Sequence, residues 1–311
     1  MSPGPPLVTI AVERGRQRSG LPLLVSLKVA GFCVVWSSAF SAAKLAIADC
    51  PPLLLLSIRF VVAGTVLLAA AALFGKSLRT SWRDVLVLAA LGLLNNVLYL
   101  GLSFVALRTV SAGLTTIIVS ANPILTTVAA ALLLGERLSL RKMIGLILGL
   151  GGVAFIVHDR IGRGFDEPHG ILLVGGALAA LVTGTLLYKL FAPREGLWVG
   201  TGIQNIAAGA VLGPFALATE SMAAIHVTPS LVLAIAHLAL IVSVAGFMLW
   251  YHLLDISSAT TASSYHFLMP PLGLIFSWIV LHEPVPMINL VGIVPVAVGI
   301  YLVTRERPAA P

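Results

Sequence analysis

Ten apolar stretches of about 20 residues each follow one another along this 311-residue chain, with only short connections between them. A stretch of that length suits a single helical crossing of a bilayer, because lipid offers no partner to an open backbone group. The spans are expected at 21–43, 53–74, 83–106, 111–134, 141–158, 169–191, 197–218, 230–253, 258–281 and 285–304. Composition agrees. At 59% hydrophobic and 10% charged residues, with mean hydropathy +1.04, the chain carries more apolar surface than a soluble domain of this size can hide. No soluble domain is expected beside the helices.

A formal charge of +7 could indicate a nucleic-acid partner, but its distribution argues against one. Arg14, Arg16, Arg18, Lys28, Lys76, Arg79, Arg83, Arg137, Arg141, Lys142, Lys189, Arg194, Arg305 and Arg307 fall at the termini or the even-numbered connections. Lys44, Arg108, Arg160 and Arg163 fall on the opposite side, and Arg59 inside a span. This asymmetry orients helices, and it places both termini in the cytoplasm of a multi-pass protein of the cell (inner or plasma) membrane. The expected partners are therefore the bilayer and a small-molecule substrate, with no nucleic acid. Cys33 and Cys50 stand about 25 Å apart on a continuous helix and cannot pair.

Leu107 to His158 lies over Leu254 to Arg305 without a gap at a shift of 147 residues. Ser111 falls on Ser258, Ala112 on Ala259, Pro123 on Pro270, Glu136 on Glu283, Gly145 on Gly292 and Gly152 on Gly299. Each half then holds five spans, over 21–158 and 168–305, joined by residues 159–167 and flanked by tails at 1–20 and 306–311. Five is odd, so the second copy enters the membrane from the opposite side. The expected fold is all-α: ten transmembrane helices as two inverted five-helix repeats around a central cavity.

The first half opens with Trp36-Ser37-Ser38-Ala39-Phe40, then Lys44, Pro51-Pro52 and Arg59-Phe60. Further along come Ala106-Leu107, Ser111-Ala112, Pro123 and Gly135-Glu136-Arg137, and the second half repeats Ser258-Ala259, Pro270 and His282-Glu283-Pro284. In this order and spacing the chain resembles the EamA type of the drug/metabolite transporter superfamily. The departures are Ser37, where a Gly is common, and His282, in place of the Gly before the second Glu. The resemblance implies ten helices around a central cavity that moves small metabolites, often amino acids or their relatives, usually outward.

Polar groups inside lipid-spanning helices are costly and usually face the bundle interior. The substrate-cavity candidates are Trp36 and Ser38 on the first span, Asn95, Asn96 and Tyr99 on the third, Asn122 on the fourth, and Tyr265 and His266 on the ninth. The cavity is expected to draw on spans one, three and four and their partners six, eight and nine. Arg59 is either an anchor for a carboxylate or for backbone carbonyls, or a cation snorkelling to the outer interface; the resemblance favours snorkelling. Pro123 and Pro270 are expected to interrupt the fourth and ninth spans as paired hinges. Trp250, Tyr251 and His252 are expected in an interfacial aromatic belt. Gly145, Gly149, Gly151 and Gly152 form a small-residue face suited to packing within the chain or to a homodimer.

No carboxylate falls deep in a span; Glu136, Asp255 and Glu283 sit at helix ends. Proton coupling would therefore have to use a histidine, His237 or His266, and a facilitator driven by the solute's own gradient is simpler. An intramembrane enzyme would need a nucleophile with its base, or a metal site, at membrane depth. Neither pattern occurs, so no enzyme, metal or cofactor is expected. A channel-like helical bundle is the remaining alternative, and the paired prolines argue against it. No phosphate-cradling Gly-rich loop with a Lys is present for nucleotide-driven pumping.

Overall fold

The computed structural model describes residues 21–135, 139–162, 166–191, 196–285 and 287–304. Those residues form helical rods in the expected places: α1 (Leu21–Ile47), α2 (Pro52–Leu73), α3 (Trp82–Ala106), α4 (Ala112–Leu134) and α5 (Leu140–Gly162). Then come α6 (Pro168–Phe191), α7 (Leu197–Thr219), α8 (Pro229–Ile256), α9 (Ala259–Leu281) and α10 (Met287–Thr304). Among the described residues, eight of them are long and apolar enough to cross a membrane by length and composition: α1 to α4 and α6 to α9. Leu73 and Leu132, 86% and 79% exposed, belong to a broad apolar exterior that only a lipid surrounding would cover. The expected connection at 159–167 is shorter than read from sequence, because α5 continues to Gly162. The terminal tails, Glu136, Arg137, Arg163, Arg194 and Arg305 lie outside the described residues.

Four rods are irregular, and they fall into two pairs. In α4 the helix stops at Val119 and restarts at Asn122, with Pro123 in its first turn, where a missing N–H costs nothing. In α9 the helix gives way to a 3₁₀ turn, Tyr265–Leu268, before Pro270. The interruptions expected at Pro123 and Pro270 are thus present in the backbone. The other pair carries a signal that hydropathy does not register. α3 widens into a π-helix over Gly92–Leu100, and α8 does the same over His237–Gly246. Each π segment turns adjacent residues inward together, as with Asn95 and Asn96.

Helix crossings reveal how the two halves meet. On α5 and α10, a Cβ at Gly152 would come within 2.7 Å of the Gly292 carbonyl oxygen, and one at Gly299 within 2.5 Å of the Gly145 carbonyl. Gly145 and Gly292, like Gly152 and Gly299, are 147 residues apart, so the contact maps onto itself with the chain direction reversed. The α2–α7 crossing behaves alike at a spacing of 145. Gly64 meets Ile206 and Gly209 meets Val61, each at 2.8 Å. These glycines let backbones approach where any side chain would collide. Gly145, Gly149 and Gly152 on α5 therefore pack within the chain, whereas Gly151 has nothing within 4 Å.

α4 ends on Gly135 in the left-handed region (φ 68°), and α9 ends on His282 in the same region (φ 55°). His282 is the only described non-glycine residue with positive φ, so the departure noted in the sequence carries backbone strain. Its side chain is exposed, leaving little packing to lose. His282→Gly is expected to raise stability by about 0.5–1 kcal/mol, read as a higher thermal midpoint in detergent.

Candidate functional site

α1 packs against α8 and α9, and this brings a set of rings together in the core. The Trp36 ring lies 5.1 Å from Phe32, 5.0 Å from Phe247, 6.3 Å from Trp250 and 5.9 Å from His266, and is nearly parallel to Tyr99 at 6.5 Å. His266 is turned inward by the 3₁₀ segment and stands edge-on to Trp250 at 4.8 Å. Of the sequence candidates, Trp36, Tyr99 and His266 thus converge. Trp250 and Tyr251 correct their expected place: both are 1% exposed and help build this centre, so they are not part of an interfacial belt. The third residue of that trio, His252, is half-buried and lies 2.9 Å from the Lys28 ammonium.

A polar chain leads away from the rings. Asn95 Nδ2 donates to the Tyr251 hydroxyl at 3.0 Å, and that hydroxyl donates to Gln204 Oε1 on α7. Tyr188 on α6 packs its ring 4.7 Å from Tyr251 and donates its hydroxyl to Asp255 at 2.7 Å. A gap of about 10 Å³, the size of one water, lies among Tyr188, Thr201, Gln204 and Tyr251. Gln204 was missed from sequence, although Gln204-Asn205 inside an apolar span was a legible signal.

Arg59 corrects the snorkelling reading. It is wholly buried, Nε donates to Ser243 Oγ on the π segment of α8 at 2.8 Å, and the guanidinium lies 5.5 Å from the Phe60 ring and 5.7 Å from Phe104. Nη1 and Nη2 have no hydrogen-bond partner among the described residues. Other buried polar atoms in that state include both amide atoms of Asn96, Ser103 Oγ and His266 Nε2. Buried groups of this kind are rare in a folded chain and call for a partner that the described residues do not supply.

The remaining candidates stand apart from the ring cluster. Ser38 is 2.9 Å from His237 Nε2, and Asn122 accepts from Thr126 at 2.9 Å beside the break in α4. Tyr265 is half-buried, and its carbonyl accepts from Cys33 Sγ.

Both ends of the bundle are tied by a lysine. Lys44, near the end of α1, donates to the Val110 carbonyl at 2.8 Å and lies 4.0 Å from Glu283. Glu283 accepts from the Ala112 and Gly113 amides and from Ser277, placing its charge at the N-terminus of α4, where the helix dipole favours it. At the other end Lys189, near the end of α6, donates to the carbonyls of Leu254 and Ser257 just before α9. The two lysines are 145 residues apart, and Val110 and Ser257 are 147 apart. Glu136, the sequence partner of Glu283, is outside the described residues.

Cys50 follows α1, and burial first and the nearby Glu220 second push its thiol up to about 11. Cys33 is buried within α1. Neither is expected to react with maleimide in intact membranes at neutral pH, since the thiolate is the reacting species; rapid labelling of untreated protein would contradict this burial.

Two larger crevices, of about 530 and 500 Å³, lie elsewhere. One sits beside the break in α4, lined by Ile118, Ala121 and Ile124 with α5 and α6, and the other beside Trp278 on α9. The first has an apolar lining with no polar side chain to orient a solute, which the ring centre supplies. No group of three or more metal-ligating side chains occurs among the described residues.

The model of the EamA-like transporter family matches twice, over residues 24–158 and 168–305. The chain is 31% identical over 287 residues to the uncharacterized transporter YvbV of Bacillus subtilis, covering 91% of this chain and 92% of the relative. It is 27% identical over 303 residues to the uncharacterized inner membrane transporter YedA of Escherichia coli, covering 95% and 96%. A solved crystal structure superposes with a TM-score of 0.71 at 20% identity, covering 90% of this chain and 97% of the other, which speaks to the fold alone.

Proposed function

The chain belongs to the EamA-like transporter family, a multi-pass membrane transporter, and from this we propose that it carries small organic metabolites outward by alternating access. Ten spans form two inverted five-helix units, 21–158 and 168–305, in the cell membrane with both termini cytoplasmic. The observation that carries this reading is the self-matching of the α5–α10 and α2–α7 crossings with direction reversed. A pair of units related in that way can rock about a shared centre and open it to one side at a time. In this reading Trp36, Tyr99, Trp250 and His266, which pack together at the meeting of α1, α3, α8 and α9, wall the centre that opens to take such solutes.

The lysine ties fit the same motion. Lys44 closes one end by holding the connection before α4, and Lys189 closes the other by holding the connection before α9. Releasing one while keeping the other exposes the centre to a single side. The breaks at Pro123 and Pro270 are the hinges, because each divides the helix whose N-terminal end its lysine ties down.

An export screen tests the function: cells overproducing the protein are loaded with amino acids and toxic analogues, and efflux is measured. Faster efflux of at least one solute is expected, and Trp36→Ala and His266→Ala are expected to reduce it at matched expression. No export of any solute would remove the proposal. With no carboxylate deep in a span, transport is proposed to follow the solute's own gradient; uphill accumulation in vesicles driven by a pH gradient alone would overturn this facilitator mode.

A further inference from the structure

Arg59 has an unfinished set of bonds. Four of its five N–H donors sit on Nη1 and Nη2, and both nitrogens are buried without a partner. The two cation–π contacts satisfy none of these donors, so the hydrogen-bonding deficit stands. Nor is a neutralising carboxylate found beside it among the described residues. The ion pair given by the described residues is Lys44–Glu283, at the bundle end, and the described acidic residues lie at helix ends or in connections.

The geometry is that of a held fork. The Nε bond to Ser243 fixes the guanidinium, Phe60 and Phe104 lie against it, and the Nη1–Nη2 edge remains. That edge matches the two oxygens of a carboxylate. Tyr99 lies within electrostatic reach of Arg59 and nearly parallel to Trp36, so the cation borders the ring centre. Asn96 and Ser103, on the helix that also carries Tyr99 and Phe104, hold further buried polar atoms without partners among the described residues.

We infer that the central site takes a small solute bearing a carboxylate, gripped by the two terminal nitrogens of Arg59, with its apolar or planar body against Trp36 and Tyr99. This rests on the transporter reading and narrows its substrate class.

The test uses purified full-length protein in detergent, with its intrinsic tryptophan fluorescence, to which Trp36 and Trp250 contribute among five tryptophans, as signal and phenylacetate, phenylacetamide and phenethylamine as matched probes. Phenylacetate is expected to give a saturable change, while the amide and the amine bind at least about 30-fold more weakly. Arg59→Lys is expected to retain the preference for the acid with about tenfold lower affinity, and Arg59→Gln to lose it, both checked for monodispersity by gel filtration. If Arg59→Gln does not fold, the wild-type preference and the Arg59→Lys shift decide. Equal binding of acid and amide, wild-type affinity in either variant, or no response to phenylacetate up to about 10 mM would overturn the inference. The two readings fail separately. Export of only uncharged or cationic solutes sinks the carboxylate and leaves a transporter, whereas a screen with no exported solute sinks the transporter.

Discussion

Gly299→Val is expected to prevent assembly of the folded bundle, whereas Gly151→Val is expected to be tolerated. A Cβ at position 299 would stand 2.5 Å from the Gly145 carbonyl oxygen and 2.9 Å from the Gly149 nitrogen. Those atoms are backbone of a facing helix and cannot rotate away, so α5 and α10 must separate along their crossing. Overpacking a close-packed interior costs about 1–3 kcal/mol, and more where backbone must move; the two further heavy atoms of valine add to the collision. Gly152→Val meets the same obstacle at Gly292, with 2.7 Å to the carbonyl. Gly151 is the control, on the same helix with open space around it. The measurement is the monodisperse fraction and thermal midpoint in detergent. Equal behaviour of Gly299→Val and Gly151→Val would mean that the crossing is looser than described.

The second large effect concerns the lysine ties, and its sign differs between the two ends. Each ammonium bonds backbone carbonyls, and hydrogen bonds to charged groups contribute about 1.5–3 kcal/mol, which shifts a two-state equilibrium roughly 10- to 150-fold. Lys44→Gln is expected to favour the state open at its own end, and Lys189→Gln the state open at the opposite end. Transport is expected to fall about tenfold or more in both, because a carrier held on one side cannot complete its cycle. The readout that separates the two is a single cysteine at Ser103, introduced with Cys33→Ala and Cys50→Ala and labelled by an impermeant maleimide from each face of sealed vesicles. Labelling should rise from opposite faces in the two variants. A rise from the same face in both would refute the ties as opposing latches.

Much of the fold was legible in hydropathy. Span boundaries fall within a few residues of the helices, since the length of an apolar run is dictated by the thickness it must cross. The prolines at 123 and 270 announced their interruptions because a missing N–H acts locally, whatever packs around it. The π segments of α3 and α8 left no such mark; they come from how a helix is seated among its neighbours. In the sequence the two halves can be laid over each other only at the 147-residue shift over 107–158. The correspondences at 145, between Lys44 and Lys189 and between Gly64 and Gly209, emerge only when contacts are compared.

The candidate site was half legible. Trp36, Tyr99 and His266 stood out as aromatic or polar residues in apolar spans, and they meet. Arg59 was misjudged, because a cation about 10 Å from a helix end can snorkel or turn inward with equal sequence support. Trp250 and Tyr251 were misjudged likewise: nearness to a helix end does not say which face of the helix looks inward. By itself the sequence determined that this chain is a bundle of membrane-length helices and where two of them break, because transfer from water to lipid and the loss of a backbone donor are properties of each segment alone. Only the tertiary structure decided which faces meet, which lysine holds which carbonyl and where the buried guanidinium points. Those outcomes depend on the approach of helices distant in sequence, and hydropathy is the same for every rotation of a helix about its own axis.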